Sequence, residues 1–263
     1  MTDQAPAPLL QVEGLTKTFG GVLALDALSL SVGSGEVVGL IGPNGSGKTT
    51  FFNVTTGIYK PDAGRIVFQG KNLAGASPQT IHRAGISRTF QRSRLSLPLS
   101  IFDNIMIGAH THRSNGLFFN LVCRSVFKRE LERMLEAARA LLKVFEPELA
   151  DRLFEPVMGL PMIDRRRIEI CRALISEPAL LFLDEPSAGM THEETRALMD
   201  NILQVRAMRS SLAIVIVEHQ MGVIERITDR CAVLNFGRKI AEGTYREVAS
   251  DAEVQVAYLG ADL

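Results

Sequence analysis

Residues 42–49 read Gly42-Pro43-Asn44-Gly45-Ser46-Gly47-Lys48-Thr49 and match the phosphate-binding loop pattern G-x-x-x-x-G-K-[ST] at every fixed position. Such a loop works only between particular neighbours, and the flanking sequence supplies them. Glu36-Val37-Val38-Gly39-Leu40-Ile41 reads as a buried strand entering the loop, and Lys48-Thr49-Thr50-Phe51-Phe52-Asn53-Val54 reads as a helix leaving it. Strand, glycine turn and helix in that order predict an α/β core. Glycines let backbone N–H groups wrap phosphates where side chains would block the approach. Lys48 adds a fixed positive charge on the outer phosphates, and the Thr49 hydroxyl is placed to bind Mg²⁺. With Thr50 completing the loop, the segment predicts binding of a nucleoside triphosphate.

The chain has 263 residues, enough for one large core or for a core with an inserted subdomain. Hydrophobic residues make up 46% and aromatics are few, which suits an α/β protein and excludes a disordered one. With 29 basic and 29 acidic residues the formal charge is zero, so nucleic acid is not an expected partner. Cys123, Cys171 and Cys231 are far apart and odd in number, without C-x-x-C spacing. They read as buried reduced thiols of a reducing compartment. The first residues carry no basic and apolar leader, and the aliphatic runs Ala179–Leu183 and Ala213–Val217 are too short to cross a bilayer. If the protein acts at a membrane, other chains are expected to supply the crossing.

Short strands are expected at Leu10–Glu13, Leu28–Val32 and Arg65–Gln69, separated by Gly and Asp turns. From about Leu99 to Glu148 the character turns helical. Leu131, Leu135, Ala138, Leu142 and Phe145 alternate four- and three-residue steps, predicting one apolar helix face. This block interrupts the strand-rich halves and reads as an inserted helical subdomain over 92–163. The core is then split into 1–91, which includes an antiparallel β subdomain, and 164–263. In the second part we expect a helix over Arg165–Ile175, a buried strand at Leu180–Leu183 and a capping box at Thr191-His192-Glu193-Glu194. A strand at Leu212–Val217, a hairpin turning at Phe236-Gly237 and a helical tail to Tyr258-Leu259-Gly260 follow.

Leu180-Leu181-Phe182-Leu183-Asp184-Glu185 is an apolar strand ending in two acids. Beside a phosphate-binding loop, the first acid, Asp184, holds Mg²⁺ through water, and Glu185 is placed to orient or deprotonate the attacking water. The next strand ends in Glu218-His219, where a neutral histidine can contact the γ-phosphate and the same water. Gln91 follows a short strand and can contribute to Mg²⁺ and water. Alone, His219 would read as structural and Gln91 as a solvated loop residue.

Together these residues resemble the ATP-binding cassette family of ATPases over nearly the whole chain. The resemblance puts the Q-loop glutamine on Gln91, the Walker B pair on Asp184 and Glu185, the switch histidine on His219 and the adenine-stacking aromatic on Phe19. It implies an α/β P-loop NTPase fold with an antiparallel β subdomain and a helical insert. It also implies ATP and Mg²⁺ as cofactors, with hydrolysis driving transport by separate permease subunits. Paired cassettes would sit at the cytoplasmic face of the bacterial inner membrane as peripheral subunits. Thr89-Phe90-Gln91, Arg166-Arg167-Ile168-Glu169-Ile170, Ala188-Gly189-Met190 and Ala257-Tyr258-Leu259-Gly260 are similar to the ATP-binding subunit of branched-chain amino acid uptake systems. Lipopolysaccharide-export ATPases and urea or amide importers share parts of this pattern. A non-transport cassette switch on ribosomes or DNA is disfavoured by the single cassette and the neutral charge. A regulatory subunit with little turnover is favoured only by the departure that follows.

The family signature, L-S-G-G-Q or L-S-Y-G-Q, falls on Leu160-Pro161-Met162-Ile163-Asp164. In the family this segment opens a helix whose serine, glycine amides and dipole grip the γ-phosphate held by the partner cassette. Pro161 lacks both the hydroxyl and the N–H. Ile163 places a branched side chain where backbone must approach closely, and Asp164 adds a negative charge at the helix N-terminus. Pro161 and Asp164 are also good helix-start residues, so the helix is expected to survive with its phosphate site impaired. A second, different cassette chain is the partner this implies.

Overall fold

Val37-Val38-Gly39-Leu40-Ile41 offers no polar face, and in the computed structural model all five residues are buried as one strand. The structure describes residues 7–91, 94–109 and 124–259. Its strands, in chain order, are β1 (Leu10–Phe19), β2 (Val22–Val32), β3 (Val37–Ile41), β4 (Ala63–Phe68), β5 (Lys71–Asn72), β6 (Ile86–Arg88), β7 (Leu180–Asp184), β8 (Ala213–Val217), β9 (Arg230–Asn235) and β10 (Arg238–Gly243).

Ten strands form two sheets among the described residues. The antiparallel sheet runs β2-β1-β4-β5, and its strands alternate buried and exposed positions because one face looks to water. The second sheet runs β10-β9-β3-β8-β7-β6 and is parallel except at the edge, where β10 pairs antiparallel with β9. Its inner strands β3, β7 and β8 are buried at every position, as a parallel sheet covered on both faces requires. β1 and β2 extend well beyond the short segments expected, because pairing with each other satisfies residues whose side chains carry no strand signal.

The chain divides into two compact units. One contains the chain up to Arg88, Ala179–Glu185 and the chain from Arg209 onward; the other contains Thr89–Pro178 and Pro186–Met208. In the first, residues of both sheets share one core with Phe51 and Phe52 of the helix Lys48–Thr55. Phe52 meets Phe182 of β7 edge-on at 4.8 Å between ring centroids. Truncating a ring so enclosed costs about 3–5 kcal/mol, so the helix leaving the loop is anchored firmly beneath it.

The second unit is helical but differs in extent from the 92–163 expected. It takes in Met162–Leu174, which packs on Ile101–Gly108, and His192–Met208, which packs on Arg124–Phe145. Helical periodicity reveals an apolar face but not which neighbour covers it. The long helix Arg124–Phe145 buries only part of its expected face: Ala138, Leu142 and Phe145 are enclosed, while Leu131 is 37% exposed. The capping box forms as expected, with Thr191 Oγ1 accepting from Glu194 N–H and Glu194 Oε2 accepting from Thr191 N–H. Cys171 and Cys231 are buried thiols whose ionisation burial pushes up; Cys123 lies outside the described residues.

Candidate active site

Gly47 caps the helix Lys48–Thr55 with φ 106°, and a Cβ there would stand 2.7 Å from the Ala24 carbonyl oxygen. At Gly42 a Cβ would lie 2.1 Å from the Leu234 carbonyl oxygen. These two glycines allow the loop to pass against β2 and β9. The hairpin turn at Phe236 and Gly237, with φ of 45° and 80°, also braces it: Gly237 N–H donates to the Ser46 carbonyl at 3.0 Å. At the far end of the chain, burial pushes the Tyr258 hydroxyl up to about 12, opposed by the Gly42 amide beside it.

Asn44, Gly45, Ser46, Gly47, Lys48, Thr49 and Thr50 line a surface depression of about 160 Å³ together with Ala24, Glu185 and His219. Lys48 lies at its base and donates through Nζ to the carbonyls of Gly42 at 2.7 Å and Pro43 at 2.9 Å. Burial lowers the pKa of Lys48, and the Glu185 and Asp184 carboxylates oppose that shift. Thr49 is exposed to solvent within the depression.

Glu185 follows β7 with φ 46°, a conformation sparsely used outside glycine, held by its N–H donating to the Val217 carbonyl at 2.9 Å. Its Oε1 lies 2.9 Å from His219 Nε2, so adjacent parallel strands β7 and β8 deliver both residues to one rim. Asp184 is buried, and its Oδ2 accepts from Arg88 Nη2 at 2.7 Å. Sequence reasoning missed Arg88; its only signal was a cation ending a strand. Phe19 is 40% exposed and meets Tyr59 edge-on, with Lys17 Nζ 5.3 Å from its ring centroid.

Gln91 belongs to the helical unit, where its carbonyl accepts from Arg166 Nη2 at 3.1 Å. Arg166 also pairs with Glu169 at 2.9 Å, and Glu169 Oε1 accepts from Arg94 N–H. This network ties the Gln91 segment to the helix Met162–Leu174. That helix starts three residues before the expected Arg165, with Pro161 at its N-cap and no side chain capping the first turn. Leu160 is buried, Met162 and Pro161 are exposed, and Ile163 and Asp164 are half-buried. Asp164 is engaged by Arg167 at 2.9 Å, which also pairs with Glu146 at 2.7 Å, so its charge is partly compensated.

The profile of a family described as "ABC transporter" matches residues 25–188, spanning the depression's loop and both acids, Asp184 at the end of β7 and Glu185 after it. The chain belongs to this family. A second profile, "Branched-chain amino acid ATP-binding cassette transporter", matches residues 238–263 of the cassette. The cassette is 38% identical over 253 residues to the high-affinity branched-chain amino acid transport ATP-binding protein LivG of Salmonella typhimurium, covering 96% of this chain and 98% of that one. It is 37% identical to the corresponding BraF protein of Pseudomonas aeruginosa, covering 96% and 98%. Among solved structures, the ADP conformation of MJ1267, an ATP-binding cassette of an ABC transporter, superposes with a TM-score of 0.82 at 30% identity, covering 97% of this chain and 99% of that one. The cassette is therefore an ABC ATPase with the α/β P-loop fold, a nucleotide-binding subunit of a transport system. No helix among its described residues is long and apolar enough to cross a membrane.

Proposed function

We propose that the cassette holds ATP with Mg²⁺ in the Gly42–Thr50 depression and hydrolyses it with Glu185 as the base. The observation that carries this reading is the 2.9 Å contact between Glu185 and His219 at the rim of the depression. A carboxylate fixed by an imidazole can accept a proton from a water near the γ-phosphate while the histidine steadies that water and the phosphate. Lys48 and the loop amides of Asn44, Gly45, Ser46, Gly47, Thr49 and Thr50 hold the phosphates. Phe19, 40% exposed, takes the adenine ring.

Mg²⁺ keeps several waters and binds few protein groups beside phosphate oxygens. The donors here fit that demand: the Thr49 hydroxyl is exposed in the depression and Asp184 is a buried carboxylate. Thr49 would be the direct ligand, with Asp184 acting through water. Bound Mg²⁺ would neutralise charge on the phosphates.

The cycle powers uptake of branched-chain or related amino acids through permease subunits, with the cassette peripheral on the cytoplasmic face of the bacterial inner membrane. The match of residues 238–263 and the names of the relatives support this substrate class. The partner cassette is a different chain, because Leu160-Pro161-Met162-Ile163-Asp164 offers no serine hydroxyl and no glycine to a facing γ-phosphate. The test is uptake of labelled leucine into vesicles carrying permease and both cassettes. Wild-type complex should accumulate leucine on ATP addition and the Glu185→Gln complex should not; equal uptake by both overturns the reading.

A further inference from the structure

β6 pairs parallel with β7, with Arg88 beside Phe182, two residues before Asp184, so all three lie on one face of the sheet. On that face the Arg88 side chain is almost wholly enclosed, 6% exposed, and its partner Asp184 is 3% exposed. Nη2 donates to Asp184 Oδ2 at 2.7 Å. Nη1 donates to Asn53 Oδ1 at 2.7 Å and to Thr56 Oγ1 at 3.2 Å. Thr56 Oγ1 donates in turn to the Phe52 carbonyl at 2.6 Å, and the guanidinium lies over the Phe52 ring, 5.3 Å from its centroid. Every residue of this cluster belongs to the first compact unit.

The helix Lys48–Thr55 opens at the phosphate-binding loop and carries Asn53 one turn beyond Thr49, on the same face. Asp184 ends β7. One guanidinium therefore bridges two separate elements: the helix that presents the Thr49 hydroxyl and the strand end that presents Asp184. A buried ion pair adds little net stability, because desolvation offsets the attraction. Carboxylates beside a metal, in contrast, are characteristically held by an outer partner that fixes their orientation. We propose that Arg88 is a positioning residue for the Mg²⁺ site. It holds Asp184 through Oδ2 and the helix of Thr49 through Asn53, and so sets the separation of the two groups that would face the ion. Arginine suits this task because a planar fork makes both bonds at once, whereas a lysine ammonium is one point charge on a flexible stem. The inference rests on the reading that Thr49 and Asp184 hold Mg²⁺.

The experiment is a Mn²⁺ titration followed by EPR on the full chain, with protein in excess over a non-hydrolysable ATP analogue. Binding of the analogue in EDTA and thermal unfolding are measured in parallel. Arg88→Lys keeps the charge but loses the fork, and should weaken Mn²⁺ binding on the order of tenfold, the lower end for an outer-shell partner. Its affinity for the analogue in EDTA should stay within about twofold of wild type. Asn53→Ala releases only the helix end of the bridge and should weaken Mn²⁺ binding in the same direction by a smaller factor, about threefold. Wild-type Mn²⁺ affinity in Arg88→Lys, with or without a lower melting temperature, makes Arg88 merely structural and overturns the proposal. An equal loss of analogue affinity in EDTA places the effect on the loop and not on the metal site, and also overturns it. Should Arg88→Lys not fold, Asn53→Ala decides alone, and unchanged Mn²⁺ affinity there overturns the proposal. Asp184→Asn separates the two readings: wild-type Mn²⁺ affinity in that variant would sink the metal role of Asp184 itself, and the role of Arg88 with it.

Discussion

His219 Nε2 lies 2.9 Å from Glu185 Oε1, although 34 residues separate them in the chain. Glu185 is the more enclosed of the two, 17% against 50% exposed, so the carboxylate is steadied while the imidazole stays open to the depression. Glu185→Gln keeps the hydrogen bond and the shape but cannot take a proton. It should retain ATP binding, lose turnover on the order of 10²–10⁴-fold and accumulate an ATP-bound pair. Steady-state ATPase rates alongside nucleotide affinity check this, and turnover at the wild-type rate would remove the base role.

Lys48 carries a pH prediction. Burial holds its ammonium below the usual lysine value of 10.5, and bound phosphates raise it again. The free site therefore loses its proton first as pH climbs. Between the lowered value and 10.5, ATP binding should take up a proton and weaken with rising pH; below that window affinity should stay level. Lys48→Arg does not titrate there and should show neither effect. Calorimetry in two alkaline buffers of different ionisation heat measures the uptake, and equal uptake in both proteins counts against the assignment.

The signature segment gives a third. Asp164 is tied up by Arg167, so the deficit falls mainly on Pro161 and Ile163. Each charge-assisted contact to phosphate that they forfeit is worth about 1.5–3 kcal/mol. This chain alone should hydrolyse ATP slowly, and a mixed pair with an intact serine-glycine signature should run faster with unequal sites. Pro161→Ser together with Ile163→Gly should raise the rate of this chain alone. Full activity as an ATP-dependent homodimer, unchanged by restoration, would defeat the argument.

A fourth concerns docking to a permease, for which resemblance to the family points to the surface near Gln91 and the segment Leu95–Asn104. Leu95 is buried, whereas Leu97 and Leu99 are 37% and 41% exposed, which narrows the candidate surface to those two. A cysteine at Ser96, half-buried beside Leu97, should cross-link to a permease loop in the assembled complex. An assembled complex giving no adduct would move the docking surface elsewhere.

The phosphate-binding loop, its entering strand and its leaving helix were legible because they are contiguous and because glycine spacing and burial act over a few residues. The same holds for the capping box at Thr191 and the hairpin turn at Phe236-Gly237, whose geometry is local. Glu185 and His219 could be singled out as strand-end polar residues, but only parallel pairing of β7 with β8 sets them 2.9 Å apart. The Arg88–Asp184 pair spans 96 residues and left no pattern, since a buried ion pair depends on which strands become neighbours. The helical unit exceeded its expected bounds for a related reason: an apolar stripe records that a face is covered, not what covers it. Local sequence determined the chemistry of the loop and the strand ends. The tertiary structure alone decided which charges neutralise one another, because electrostatic partners are set by distance in space and not along the chain.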